Sequence, residues 1–462
     1  MNTPIKILAW CDSPSLTSGF ARVAFEILRR WAAYGASIDV WAIGFNGLNY
    51  DKCPWARLVP AGDPWFTAAN MQLFVNQLIK GRYTHVWIMQ DSFLLSQCGL
   101  PQAIADACKE NGIRSAYYFP VDAEWDPAWA EILACVDAPI AYTEYGKAVA
   151  TNALMALSGE RMKEASQLRE FSPQPGGELP ELPPYIDPVP REDVAILGHG
   201  CSPVFCPETA AGRAGLREKC FPNGWLNDGD WLMVNVSQHQ KRKDLSRSLE
   251  ILAELRRRGV PAKLVLHCAK VNPGDGTDLA QVGRQLGLSW GKEFVTNDAA
   301  VLHNHGLMSD AGLRELYNVA DAALTTSMGE GWGFMLTEAL ACGCPVVCPD
   351  HTSCREIART VERLGMPGRF TLLPATDRGS YTWDSSRVRP RVNVNAAANL
   401  IKKLYQSGRW RERPPLNDAV KEWLNWDRIA LAMWERLMGP EANSENRMTN
   451  TETDTSRPAP GT

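Results

Sequence analysis

The sequence predicts an α/β protein made of two doubly wound domains, each built on a parallel sheet. Short apolar runs alternate with amphipathic helical stretches, the pattern of parallel strands joined by crossover helices. The alternation runs from the N-terminus to about residue 200, meets a Pro-rich stretch at 173–190 on the way, and restarts at 231. A length of 462 residues, with 45% apolar and 22% charged, is enough for two ordinary globular cores.

Residues 5–10 read as a buried strand, and a Ser/Pro/Gly turn through Ser18 and Gly19 leads into an amphipathic helix over 20–33. Strands follow at 38–43, 85–89, 114–119 and 138–142, with helices at 67–80 and 101–110. Between 157 and 190 the period is lost, first in a charged helical piece and then in prolines, which predicts a surface insertion. A strand resumes at 194–200, and Phe205-Cys206-Pro207 closes a first domain over 1–207. The second domain, over 208–422, alternates strands at 231–236, 263–267, 294–296 and 322–326 with helices at 244–258, 278–287 and 310–320. A terminal helix is expected over 423–440. Beyond it the chain turns polar and Thr-rich, so a disordered tail is expected over 441–462.

The chemistry concentrates in residues 327–347, where two carboxylates, a glycine turn, a short helix and a buried strand form one unit. Gly329, Gly331 and Gly333 allow a tight turn and close approach of backbone to a ligand. The helix that starts near Phe334 offers unpaired N–H groups and a positive dipole end, which suit a diphosphate. Glu330 and Glu338 stand eight positions apart, roughly 12 Å if the span were all helical. They can therefore address two ends of an extended ligand, one a sugar and the other a ribose.

This run, S-x-x-E-G-x-G-x-x-x-x-E-A-x-A-x-G-x-P-V-V, resembles the signature of the retaining, nucleotide-sugar-dependent glycosyltransferases. That family, glycosyltransferase family 4-like, includes sucrose- and glycogen-type synthases and bacterial mannosyltransferases. The resemblance implies the GT-B fold: two Rossmann-like domains facing a central cleft, the first on the acceptor side, with the 423–440 helix returning to it. It implies a UDP- or GDP-linked sugar as donor, with Glu338 on the ribose, Glu330 on the transferred hexose, and the Gly333-Phe334 backbone on the diphosphate. It also implies front-face displacement, in which the leaving phosphate helps to deprotonate the acceptor.

An Arg and a Lys in the loop after the first strand of the second domain are expected to neutralise that diphosphate. Lys243 matches the Lys, but Gln238 stands where the Arg belongs, leaving Arg242 or Lys241 to compensate. A solvated helix start is the plainer reading of this basic run. In the first domain, Asp122 matches the Asp of a strand-ending His-Asp pair, while Val121 replaces the His. Asp122 or Glu124 can hold an acceptor hydroxyl, and Trp125 can stack on a ring. Asp91, after another strand at the same sheet edge, is a further acceptor candidate. Ser18 and Gly19 sit where the family places a Gly-rich loop against the donor or acceptor.

The formal charge of −4 gives no global reason to bind nucleic acid or an anionic membrane. No transmembrane run and no signal-peptide pattern is present, so a cytoplasmic location is expected. The 13 cysteines lack zinc-site spacing and read as free thiols. The acidic runs Asp228-Gly229-Asp230 and Asp275-Gly276-Thr277-Asp278 read as turns, so neither a metal nor a resident cofactor is expected. A glycan, lipid-linked or small-molecule hydroxyl is the favoured acceptor. Hydroxymethylated DNA is the second choice, through basic runs at Arg387, Arg389, Arg391 and over 402–413 with Tyr405 and Trp410. The Gln238 and Val121 departures also fit a module that binds nucleotide sugar with weakened catalysis.

Overall fold

The computed structural model describes residues 4–43, 49–62, 67–96, 99–157, 194–297, 309–380 and 388–439. The insertion expected over 157–190 lies outside these residues beyond Leu157, as do the expected tail and Arg387. The chain forms two compact units, residues 1–199 with 426–462 and residues 200–425.

The first unit holds a seven-stranded sheet of β1 (Lys6–Asp12), β2 (Ser37–Ile43), β3 (Ala56–Pro60), β4 (His85–Ile88), β5 (Arg114–Phe119), β6 (Ala138–Ala141) and β7 (Ala195–Ile196). Its order is β3-β2-β1-β4-β5-β6-β7, with every pair parallel. The interior residues of β1 are all buried, as expected of a strand covered on both faces. Leu8, Trp10, Phe74, Val86 and Ile104 lie in one apolar cluster, with Trp10 and Phe74 ring centroids 4.3 Å apart. The helix Trp426–Met438 belongs to this unit, where Trp31 Nε1 donates to the Ala430 carbonyl at 3.0 Å.

The second unit holds β8 (Trp231–Val236), β9 (Ala262–His267), β10 (Phe294–Thr296), β11 (Ala322–Leu324), β12 (Val346–Pro349) and β13 (Phe370–Leu373). They run parallel in the order β10-β9-β8-β11-β12-β13. An antiparallel hairpin, β14 (Asp377–Ser380) with β15 (Val388–Arg391), follows the sheet. The strand order reverses between β1 and β4 in one unit and between β8 and β11 in the other, which fixes where each sheet edge opens.

The boundary expected at 207 falls instead at His199/Gly200. Residues 201–208 are bonded into the second unit: Cys201 N–H donates to the Leu424 carbonyl at 2.8 Å, and Asn318 Nδ2 to the Cys206 carbonyl at 3.0 Å. At the other end Trp423 stays with the second unit, its ring 5.6 Å from Trp332, and the returning helix begins at Trp426 rather than 423.

His199 closes the first unit, buried, with Nδ1 2.8 Å from the Tyr118 hydroxyl and its ring between Tyr142 and Trp426. Burial holds its imidazole neutral, pulling its pKa down to about 3. The unfolded chain therefore takes up a proton below pH 6.5 that native His199 refuses, so stability is lost as pH falls from 6.5 toward 3. His199→Gln should remove one proton's share of that slope, about 1.4 kcal/mol per pH unit, in denaturant titrations across that range.

Candidate functional site

The loops after β8, β11 and β12 meet at the strand-order reversal of the second sheet. Asn235, within β8, donates from Nδ2 to Ser248 Oγ at 3.2 Å, and Ser248 Oγ lies 2.8 Å from Thr326 Oγ1, just past β11. Thr326 Oγ1 in turn donates to the Asp244 carbonyl at 2.9 Å, and Met328 N–H to the Arg242 carbonyl at 2.8 Å. These bonds tie the basic turn Lys241–Lys243 to the glycine loop. Lys243 Nζ lies 2.6 and 2.7 Å from the two carboxylate oxygens of Glu330, and Arg242 Nη1 stands 3.6 Å from the same group. Arg242 also donates to the Gly329 carbonyl. Burial pushes the Glu330 carboxyl up, but Lys243 and Arg242 outweigh it and hold its pKa below the ordinary 4.5.

Gly333 turns the chain into the helix Phe334–Ala341 with φ 89°, ψ 76°, a conformation that only glycine takes without strain. A Cβ there would also sit 3.1 Å from Leu336 Cδ1 and 3.5 Å from Glu330 Cγ. No side chain caps this helix. Leu336 N–H bonds back to the Gly333 carbonyl at 2.9 Å, and the positive end of the helix dipole lies at the glycine loop. Glu338 is inside the same helix, 2% exposed, and accepts from the Tyr317 hydroxyl at 2.9 Å. Because Glu330 lies in the loop before the helix, the span between the carboxylates is not the continuous helix considered from spacing alone.

Gln238 is exposed and accepts from Gln240 Nε2 at 2.9 Å, so the cation beside Glu330 after Lys243 is Arg242. Three contributors carry no signature: Asp244, His351 and Thr352. Asp244 receives both Nε and Nη2 of Arg391 at 2.7 Å. Glu330 N–H donates to Thr352 Oγ1 at 3.3 Å. Burial, then the Arg355 charge, lowers His351 to about 4.

In the first unit Ser18 caps the helix Gly19–Ala33: its hydroxyl accepts from Ala21 N–H at 3.0 Å and donates to Asp12 Oδ2 at 2.5 Å. Burial raises the Asp12 carboxyl, with the Ser18 bond opposing. Asp91 stands at the N-cap position of a short helix after β4 without a side-chain cap bond, Asp122 is half-buried after β5, and Glu124 is exposed. Trp125 is buried with its ring 5.2 Å from Phe119. Gln90 Nε2 and the Tyr142 hydroxyl, at the same sheet edge, are buried without a hydrogen-bond partner among the described residues.

Both acidic runs act as turns. Asp230 accepts from Asn227 N–H and pairs with Lys263 at 2.9 Å, Asp275 accepts from Thr277 N–H, and Asp278 caps the helix Leu279–Gln285. No group of three candidate metal ligands occurs among the described residues. Nor is any described helix long and apolar enough to cross a membrane.

Residues 296–364, which span Glu330, Glu338 and Thr352, match the family described as glycosyl transferases group 1. The chain carries a glycosyltransferase group 1 segment, and it is an enzyme of the glycosyl-transfer class. Its fold resembles sucrose-phosphate synthase from Thermosynechococcus elongatus (TM-score 0.59, 16% identity, 97% of this chain and 100% of that one). A glycosyltransferase from Rickettsia africae ESF-5 superposes with TM-score 0.57 at 12% identity over 98% of this chain and 100% of the other. The α,α-trehalose 6-phosphate synthase from Burkholderia multivorans gives 0.54 at 12%, over 99% and 100%. At such identities the likeness establishes the fold, GT-B with two parallel-sheet α/β units. No curated protein matches the sequence.

Glu330→Gln should lower stability at neutral pH by leaving Lys243 and Arg242 without their anion. With the native pKa depressed, the wild-type advantage is full above pH 4.5 and shrinks as pH falls through the native value. Chemical denaturation of both proteins at a series of pH values measures it.

Proposed function

We propose that this enzyme transfers a hexose, with retention, from a UDP- or GDP-linked sugar to a neutral hydroxyl acceptor. The observation that carries the reading is the Lys243–Glu330 pair beside an uncapped helix N-terminus at the strand-order reversal. Lys243, Arg242 and the amides after Gly333 would hold the diphosphate, Glu330 the hexose and Glu338 the ribose. The sugar–phosphate C–O bond breaks as the acceptor oxygen bonds the same carbon, and the acceptor proton passes to a phosphate oxygen. Charge grows on the departing diphosphate, where fixed cations stabilise it most.

UDP-glucose or GDP-mannose should raise the melting temperature at saturating concentration, and transfer should persist in EDTA. Lys243→Ala should cut turnover roughly 100-fold while changing donor affinity less. Glu338→Ala should weaken donor binding by about 1.5–3 kcal/mol in calorimetric titration. Binding at wild-type strength without turnover in the unmodified chain would favour the weakened binding module.

Carboxylates at the C-terminal edge of the first sheet, Asp12, Asp91 and Asp122, accept hydroxyl protons and repel phosphates, which supports a neutral acceptor over DNA. The basic runs point the same way. Arg389 is buried, Arg391 is paired with Asp244, and Tyr405 and Trp410 pack on Trp231 at 5.8 and 6.5 Å. Offered hydroxymethylated DNA and sugar acceptors at low and moderate salt, the enzyme should modify the sugars. Salt-sensitive DNA binding with transfer to the base would reverse that order.

A further inference from the structure

Three described non-glycine residues adopt a left-handed backbone: Arg82, Asp244 and Thr352. Two of them frame the ion pair of the proposed donor site. Thr352, φ 48°, is the more demanding, since a β-branched residue at positive φ is a genuine outlier. Its Oγ1 receives Glu330 N–H at 3.3 Å, and the next hydroxyl, Ser353 Oγ, donates to the Trp332 carbonyl at 2.9 Å. The left-handed turn thus aims two consecutive hydroxyls at the loop that carries Glu330.

Asp244, φ 48° and ψ 48°, directly follows Lys243. Its carboxylate is held by the Arg391 fork at 2.7 Å, and its carbonyl accepts from Thr326 Oγ1 at 2.9 Å. Neither side chain caps the helix it adjoins: Asp244 makes no cap bond to Leu245–Arg257, and the cap position of Thr352–Arg363 is His351. Glycine would take either conformation freely. A strained residue at such a position persists where its side chain does something glycine cannot.

We propose that Asp244 and Thr352 are positioning residues, which hold Lys243 and Glu330 in register through side-chain bonds that require the strained turns. The proposal rests on the donor-site reading above. Its test compares Thr352→Gly, Thr352→Ser, Asp244→Gly, Asp244→Asn and the reference Glu330→Gln in the full chain. Melting temperature, kcat and KM are measured with UDP-glucose or GDP-mannose, whichever protects against unfolding.

Thr352→Gly should melt within about 3 °C of wild type, strain relief offsetting the lost bond. Its kcat should fall about 10- to 100-fold with KM nearly unchanged, because the reacting geometry is loosened while donor contacts remain. Thr352→Ser, which keeps the hydroxyl, should recover most of the rate. Asp244→Gly should behave likewise, with Asn recovering part, since Asn tolerates the left-handed region and leaves Arg391 one oxygen. Unchanged kcat in both glycine variants, or a rate loss matched by a large drop in melting temperature, overturns the positioning role. If Glu330→Gln retains full turnover, the donor-site reading itself fails and takes this proposal with it.

Discussion

The ion pair between Lys243 and Glu330 is the constraint on which the second unit's functional edge depends. It joins the loop after β8 to the loop after β11, the two strands between which the chain reverses its order of addition. Each partner is itself fixed from behind: the Lys243 turn by Thr326 and Met328, the Glu330 loop by Thr352 and Ser353. A buried ion pair is weak evidence for stability, because desolvation of two charges offsets most of their attraction. Its geometry is better understood as a means of holding one cationic and one anionic group at a set separation beside an open helix end.

Charge balance around the pair has a direction. Arg391 is matched by Asp244, and Arg247 lies near Glu250 and Asp377. Lys243 and Arg242 share the single carboxylate of Glu330, so these three groups together carry one positive charge. The helix Phe334–Ala341 adds the partial positive charge of its N-terminus. Those contributions favour a dianionic ligand over a neutral one. The edge of the first sheet, with Asp12, Asp91 and Asp122, has the opposite sign.

Much of this was legible in the sequence because both sheets are buried on two faces. Apolar runs such as 5–10 and 231–236 are then nearly continuous and easily read as strands. The glycine turn was legible too, since its backbone conformation restricts residue types and leaves glycine at Gly333. β3 was not: Ala56–Pro60 is an edge strand carrying Arg57 and ending in proline, with one buried residue. The hairpin β14–β15 was missed because it lacks an apolar period, its strands bearing Arg378, Arg389 and Arg391. Thr352 and Asp244 were illegible for a sharper reason. Sequence reasoning assigns left-handed turns to glycine or asparagine, and at these positions side-chain bonding overrides that preference.

The two glutamates of the signature show why spacing alone could not assign their roles. Glu330 precedes the helix, in a loop, and its carboxylate is gripped by two cations that lower its pKa. Glu338 lies within the helix, almost wholly buried, with the neutral Tyr317 hydroxyl among its partners. A carboxylate held by cations shares their fate: a phosphate that draws on Lys243 or Arg242 weakens their hold on Glu330, so diphosphate binding and the freedom of that carboxylate are coupled. A carboxylate bonded to a hydroxyl within a helix is held by the backbone on either side of it and presents an acceptor. The coupled group suits a sugar whose bond to phosphate is being broken, and the helix-borne one suits a ribose that does not react.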